Sequence, residues 1–147
     1  MGGMYLNNLT IENGNQKDSN YIIEKLVEYN LSKVPQTQEV AYVWINKIVK
    51  NDDKEVVGGI LAKMYCWNVI YIDALWINEN YRNHGLGEKL LFEIENIARK
   101  ENCYLIHLDT FDFQAKDFYL KNGYKVFGVL DDCPKDHKRY FLKKYLE

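Results

Sequence analysis

Apolar positions recur with two different periods along this chain, and the switches between them mark out its elements. Residues 5–11 alternate loosely in polarity and run into the turn-rich ENGNQKDSN, which predicts a first strand and a loop. Within residues 20–32, Ile22, Ile23, Leu26, Val27 and Leu31 fall at helical spacing behind Ser19 as a cap, and Pro35 closes the region. Residues 41–50 mix β-branched and aromatic side chains and read as a strand. Two more apolar runs, 56–66 and 69–77, are separated only by Trp67 and Asn68, a gap that favours antiparallel hairpins. Leu86, Leu90, Leu91, Ile94, Ile97 and Ala98 then recur every three or four residues with Lys89, Glu93, Glu95 and Arg99 between them, the clearest helix in the chain. Residues 104–110 return as a strand. A strand, a helix and a strand in about forty residues demand a parallel, right-handed crossover. A short helix over 114–122 and two last strands, 124–130 and 140–145, complete the pattern.

Composition narrows the partners. A chain of 147 residues with 47% hydrophobic content fits one domain, which we place at 4–147. Nineteen basic residues against 21 acidic ones leave no overall charge for capturing nucleic acid or an anionic membrane. Three cysteines without metal-ligand spacing suit a reducing cytoplasm, and no run reaches the roughly 20 apolar residues that span a bilayer. A lipidation signal at Gly2 would need serine or threonine where Leu6 stands, so Met1 to Gly3 read as a loose end.

The stretch YRNHGLG, residues 81–87, carries the most specific chemistry. It leaves a strand and delivers the N-terminus of the long helix, whose first N–H groups lack backbone partners and attract anions. Gly85 and Gly87 let a phosphate approach the backbone, and Arg82 adds a positive fork. A tight turn would also explain a lone glycine pair. A Walker loop would end in GK[ST], whereas Glu88, Lys89 and Leu90 follow, and a dinucleotide fingerprint would need a small residue where Leu90 stands.

With these residues the chain resembles the GCN5-related N-acetyltransferases. That family has an apolar strand ending like L-x-V, then Y-R-x-x-G-x-G and a helix; here stand Leu75, Trp76 and Ile77, then Tyr81, Arg82, Gly85, Leu86 and Gly87. Downstream, AKDFYLKNGY supplies Ala115, Phe118, Tyr119, Lys121, Gly123 and Tyr124 of a second family motif. The resemblance implies a mixed α/β sheet of six to seven strands, with an antiparallel N-terminal meander and the parallel crossover, flanked by three to four helices. It implies acetyl-CoA as co-substrate, with Arg82, Asn83, His84, Gly85, Leu86, Gly87 and Glu88 at the pyrophosphate. Leu75, Trp76, Ile77, Ala115 and Tyr119 would line the pantetheine arm. Asp112 falls in the coenzyme set too, where many relatives have asparagine, although a carboxylate there disfavours a phosphate-bearing ligand.

Transfer of acetyl from a thioester to an amine needs a neutral nucleophile, a stabilised oxyanion and a proton for the thiolate. An alkyl amine of pKa near 10.4 is neutral in about one molecule in 2,500 at pH 7, a deprotonation cost of roughly 4.6 kcal/mol. Asp73, the single charged residue in VIYIDALWI, is the candidate base, and would share a face with Tyr71, Leu75 and Ile77; a structural hydrogen bond or ion pair explains it about as well. Glu79 is the second choice. Tyr119 matches the family's general acid, against the alternative of a core aromatic. The oxyanion is expected at a backbone N–H, with Ile77 a main-chain contact. His84, His107 and His137 are too scattered for a metal site, and Cys103 has no neighbouring base for a covalent route, so direct attack is expected. The acceptor would be a small-molecule or protein amine, and the resemblance allows a homodimer. The competing reading is a sensor or carrier that binds acyl-CoA on the same fold without turnover.

Overall fold

The structure, a computed structural model, describes residues 8–147. Its backbone divides into two compact units that meet in sequence between Pro35 and Gln36. The first contains helix α1, Gln16–Lys33. This helix starts a turn earlier than expected because Asn15, not Ser19, is the cap. The Asn15 side chain accepts from the Asp18 N–H at 2.8 Å and the Asp18 carboxylate accepts from the Asn15 N–H at 3.2 Å, a reciprocal capping box. Residues 5–7 of the expected first strand lie outside the described residues. Residues 9–11 are irregular rather than extended in a sheet.

The second unit is built on six strands: β1 Tyr42–Lys50, β2 Val56–Tyr65, β3 Val69–Ile77, β4 Leu105–Phe111, β5 Lys125–Asp131 and β6 Lys138–Tyr145. They lie in the order β1-β2-β3-β4-β6-β5, antiparallel except for β3 beside β4. Helix α2, Leu86–Lys100, makes the crossover between that parallel pair, and the short α3, Lys116–Lys121, precedes β5. Gln114 is not helical; its side-chain oxygen accepts from the Phe111 N–H at 2.8 Å and closes the turn before α3. Leu90, Leu91 and Ile94 of α2 are buried with Ile60, Ile72, Ile106 and Leu108 from the sheet. This apolar face is the main source of stability, since burying such side chains is worth roughly 1.5–3 kcal/mol each. Among the described residues no helix is long and apolar enough to cross a membrane.

Two irregularities open the sheet. The β3–β4 ladder runs from Val69↔Leu105 to Ile72↔Leu108 and then stops, although both strands continue. At the same level β3 carries a bulge, with Ala62 opposite Ile72 and Leu61 opposite Ala74, so Asp73 is the extra residue. The bulge also corrects an expectation. It turns Leu75 and Ile77 toward the core beside Ile60, while Tyr71 stands on the opposite face, so Asp73 does not share one face with all three.

Candidate functional site

Where β3 and β4 part, a cleft of about 780 Å³ opens, a size suited to a small ligand. Residues 72–77 of β3 form one wall, and Asp109, Thr110 and Phe111 of β4 lead into the other, continued by Phe113, Gln114 and Ala115 and by Phe118 and Tyr119 of α3. Arg82 and Gly87 close the end nearest α2.

At that end the loop takes two left-handed residues, Asn83 with φ 65° and Gly85 with φ 77°. They turn the chain sharply enough to aim the start of α2 at the cleft. No side chain caps α2, and its first turn contains Glu88. The first backbone bond back to the cap is Lys89 N–H to Gly85 C=O at 3.0 Å, so the earlier amides of the helix point outward. A Cβ at Gly85 would meet nothing within 4 Å, whereas one at Gly87 would touch the Phe118 ring at 3.4 Å. Gly85 is therefore favoured by its backbone dihedral, whereas at Gly87 a Cβ would make an ordinary contact with α3. Arg82 is not a free fork: its Nε donates to the Ile77 carbonyl at 2.8 Å, tying the loop to the end of β3. His84 is exposed in the same loop.

Along the cleft, Tyr119 is only 4% exposed, and its ring is held edge-on between Phe118 and Tyr124 at 5.2 and 5.6 Å. Its hydroxyl makes no hydrogen bond to any described residue. Burial pushes its pKa well above the ordinary phenol value. Asp73 is exposed in the bulge and has neither hydrogen bond nor ion pair among the described residues, so the structural pairing considered for it is absent there. Glu79 lies in the short 3-10 turn Glu79–Tyr81 and does not line the cleft.

Asp112 is placed differently from its sequence neighbours. It does not line the cleft; one carboxylate oxygen pairs with His137 Nδ1 at 2.9 Å and the other accepts from the Lys138 N–H at 3.0 Å. Partial desolvation works against its charge, but the hydrogen bonds from His137, Lys138 and Phe113 outweigh it and hold its pKa below the usual carboxylate value.

One residue of the far wall, Asp109, was missed in the sequence. Asp109 accepts from Arg139 through Nε at 2.9 Å and a terminal nitrogen at 2.6 Å, and from the Tyr71 hydroxyl at 2.7 Å. Burial, then this hydrogen bond, pushes the Tyr71 pKa up to about 12. A charged residue inside YLIHLDT was the available signal, comparable to the one that singled out Asp73. His107 pairs with the Tyr65 hydroxyl at 2.7 Å, and burial lowers its pKa, which keeps it neutral at pH 7.

The thiols stand apart from this chemistry. Burial raises Cys103 to about 11, with Glu101 adding to the effect, and its Sγ contacts the Met64 sulfur at 3.3 Å. Cys66 is also buried, and Cys133 is partly exposed. Brief iodoacetamide treatment of the folded protein at pH 8 is expected to label Cys133 alone, read by peptide mass; early modification of Cys103 would contradict its placement.

The model of the acetyltransferase (GNAT) family matches residues 16–124. A crystal structure of an acetyltransferase from Bacillus cereus is 40% identical, with a TM-score of 0.85 over 94% of this chain and 98% of that one. The blasticidin-S acetyltransferase of Streptomyces morookaense is 33% identical over 93 residues, 63% of this chain and 68% of its own. An acetyltransferase of Agrobacterium fabrum is 28% identical over 123 residues, 84% of this chain and 87% of its own.

Proposed function

From its membership of the acetyltransferase (GNAT) family, to which the chain belongs, we propose that this protein transfers acetyl from acetyl-CoA to a primary amine by direct attack. The family match starts within α1 and ends at Tyr124, so it takes in both compact units and supports a single acetyltransferase domain over 4–147. The observation that carries the reading is one cleft with an uncapped, glycine-shaped helix start at one end and, along its wall, a buried tyrosine whose hydroxyl oxygen reaches the cleft without a hydrogen-bond partner among the described residues.

In this reading the amides of residues 83–88 hold the diphosphate, as the partial positive charge of a helix start requires. Arg82 supports them through its remaining guanidinium N–H groups. The exposed edge of Leu75, Trp76 and Ile77, freed where the β3–β4 ladder ends, offers backbone groups to the pantetheine amides, and Ala115 at the cap of α3 and Tyr119 within it face that edge. Asp112 is left out of this set because its carboxylate is taken up by His137 and Lys138. Asp73, exposed and with neither hydrogen bond nor ion pair among the described residues, accepts, directly or through water, the proton that the acceptor ammonium gives up, and the neutral amine then attacks the thioester carbonyl. A backbone N–H at the end of β3 meets the oxyanion. Tyr119, protonated throughout the physiological range, gives its proton to the departing thiolate. The acceptor is a small-molecule or protein amine, and the blasticidin-S named for the Streptomyces relative favours a small molecule.

Gly85→Val tests the coenzyme end. A β-branched residue is strained at φ 77°, yet its Cβ meets nothing, so the fold should persist while the loop rearranges. The affinity for acetyl-CoA, measured by calorimetry, is expected to fall at least tenfold, about the value of one hydrogen bond to a charged group. Unchanged affinity would place the diphosphate elsewhere.

A further inference from the structure

The far wall of the cleft holds an exposed aromatic that is braced as if it were buried. Phe113 is 59% exposed, yet its ring stacks on Phe111 at 5.3 Å with 7° between the planes, and His137 meets it edge-on at 5.3 Å. Each brace is itself fixed. His137 is held by Asp112, which also ties Lys138 down through paired backbone and side-chain contacts. Phe111 lies 5.6 Å from the Arg139 guanidinium, which Asp109 grips with two hydrogen bonds. Trp76, 51% exposed, lines the same cleft from the other strand.

The position of this wall identifies which ligand it serves. Along β4, Ile106, Leu108 and Thr110 are buried, Ile106 and Leu108 with the apolar face of α2, so Asp109 and Phe111 stand on the opposite face. The diphosphate end is at the start of α2. A ring on the opposite face therefore meets what approaches the thioester from the other side. Charge narrows the class further. Of the two carboxylates in the cleft, Asp109 is neutralised by Arg139 and capped by Tyr71, leaving Asp73 alone to face a cation.

We propose that this half of the cleft is an acceptor subsite for a monoamine bearing a flat ring. The ring lies on the Phe111–Phe113 wall, the ammonium faces Asp73, and Asp112 is the positioning residue that holds the wall through His137. The proposal rests on the transferase reading for the word acceptor, but its binding chemistry can be measured without turnover.

Calorimetry in the presence of CoA would compare phenethylamine with n-hexylamine, two monoamines that differ in the ring. Wild-type protein is expected to prefer phenethylamine. Phe113→Ala should weaken phenethylamine three- to tenfold and hexylamine less than twofold, as loss of one aromatic contact predicts. Asp112→Leu should erase the same preference and Asp112→Asn, which keeps an acceptor for the Lys138 N–H, should retain it. Absence of ring preference in the wild type, or equal loss for both amines, would overturn the subsite; a preference surviving in Asp112→Leu would overturn the role of Asp112. Thiol release from acetyl-CoA with the same amines separates the two readings. Ring-selective binding without release would count against transfer and leave the subsite standing, and release without ring selectivity would do the reverse.

Discussion

Tyr119→Phe is expected to lower kcat about a hundredfold or more while leaving the affinity for acetyl-CoA nearly unchanged. General acid–base groups contribute roughly 10² to 10⁴ in rate, and the change removes only the hydroxyl. The ring stays, with its contacts to Phe118 and Tyr124, so packing is preserved and stability should shift little. Because the hydroxyl has no protein partner among the described residues, its loss leaves no donor or acceptor stranded. The pH profile gives an independent check. A general acid works in its protonated form, and burial raises the pKa of Tyr119, so wild-type kcat should not fall through its deprotonation on the alkaline side below about pH 10. Stopped thiol-release assays from pH 7 to 10 would show it. Near wild-type kcat in the Tyr119→Phe enzyme would remove this hydroxyl from the chemistry.

The second large effect concerns stability. Glu95 of α2 is 6% exposed and accepts from the Lys144 ammonium at 2.9 Å and the Tyr124 hydroxyl at 3.1 Å. Lys144 also donates to the Asn122 carbonyl at 2.9 Å, so one buried carboxylate joins α2, the end of α3 and β6. Glu95→Ala leaves an ammonium with 22% of its side chain exposed and a buried phenol without their acceptor. Breaking such a pair from one side costs about 3–5 kcal/mol. For a chain of this size that corresponds to a Tm lower by roughly 10 °C, measurable by circular dichroism. Replacing both partners, Glu95→Met with Lys144→Met, should recover a large part of the loss because no charge is stranded. A double variant no more stable than Glu95→Ala would show that the network matters for something other than charge compensation.

This network was not legible in the sequence, where Glu95 sat among Lys89, Glu93 and Arg99 as part of the polar side of an amphipathic helix. Periodicity assigns residues to faces, but α2 is covered over more of its circumference than one stripe, and a carboxylate at the margin became buried. The bulge at Asp73 was equally hidden. Its extra residue follows from pairing with Leu61 and Ala62, partners more than ten positions away. Asp112 looked like a departure at a coenzyme contact, and its use became visible only when the last hairpin brought His137 and Lys138 beside it.

Local sequence by itself determined the order of strands and helices in residues 42–145, the crossover, and the glycine loop that begins α2. Each of these follows from dihedral preference and hydrophobic period, which act over a few neighbouring residues. Tertiary structure alone decided where β3 and β4 separate, which carboxylates of the cleft are neutralised, and which aromatic rings line it. Those features depend on the partner a side chain meets across the sheet, and a hydrogen bond or ion pair between distant residues leaves no period in the chain.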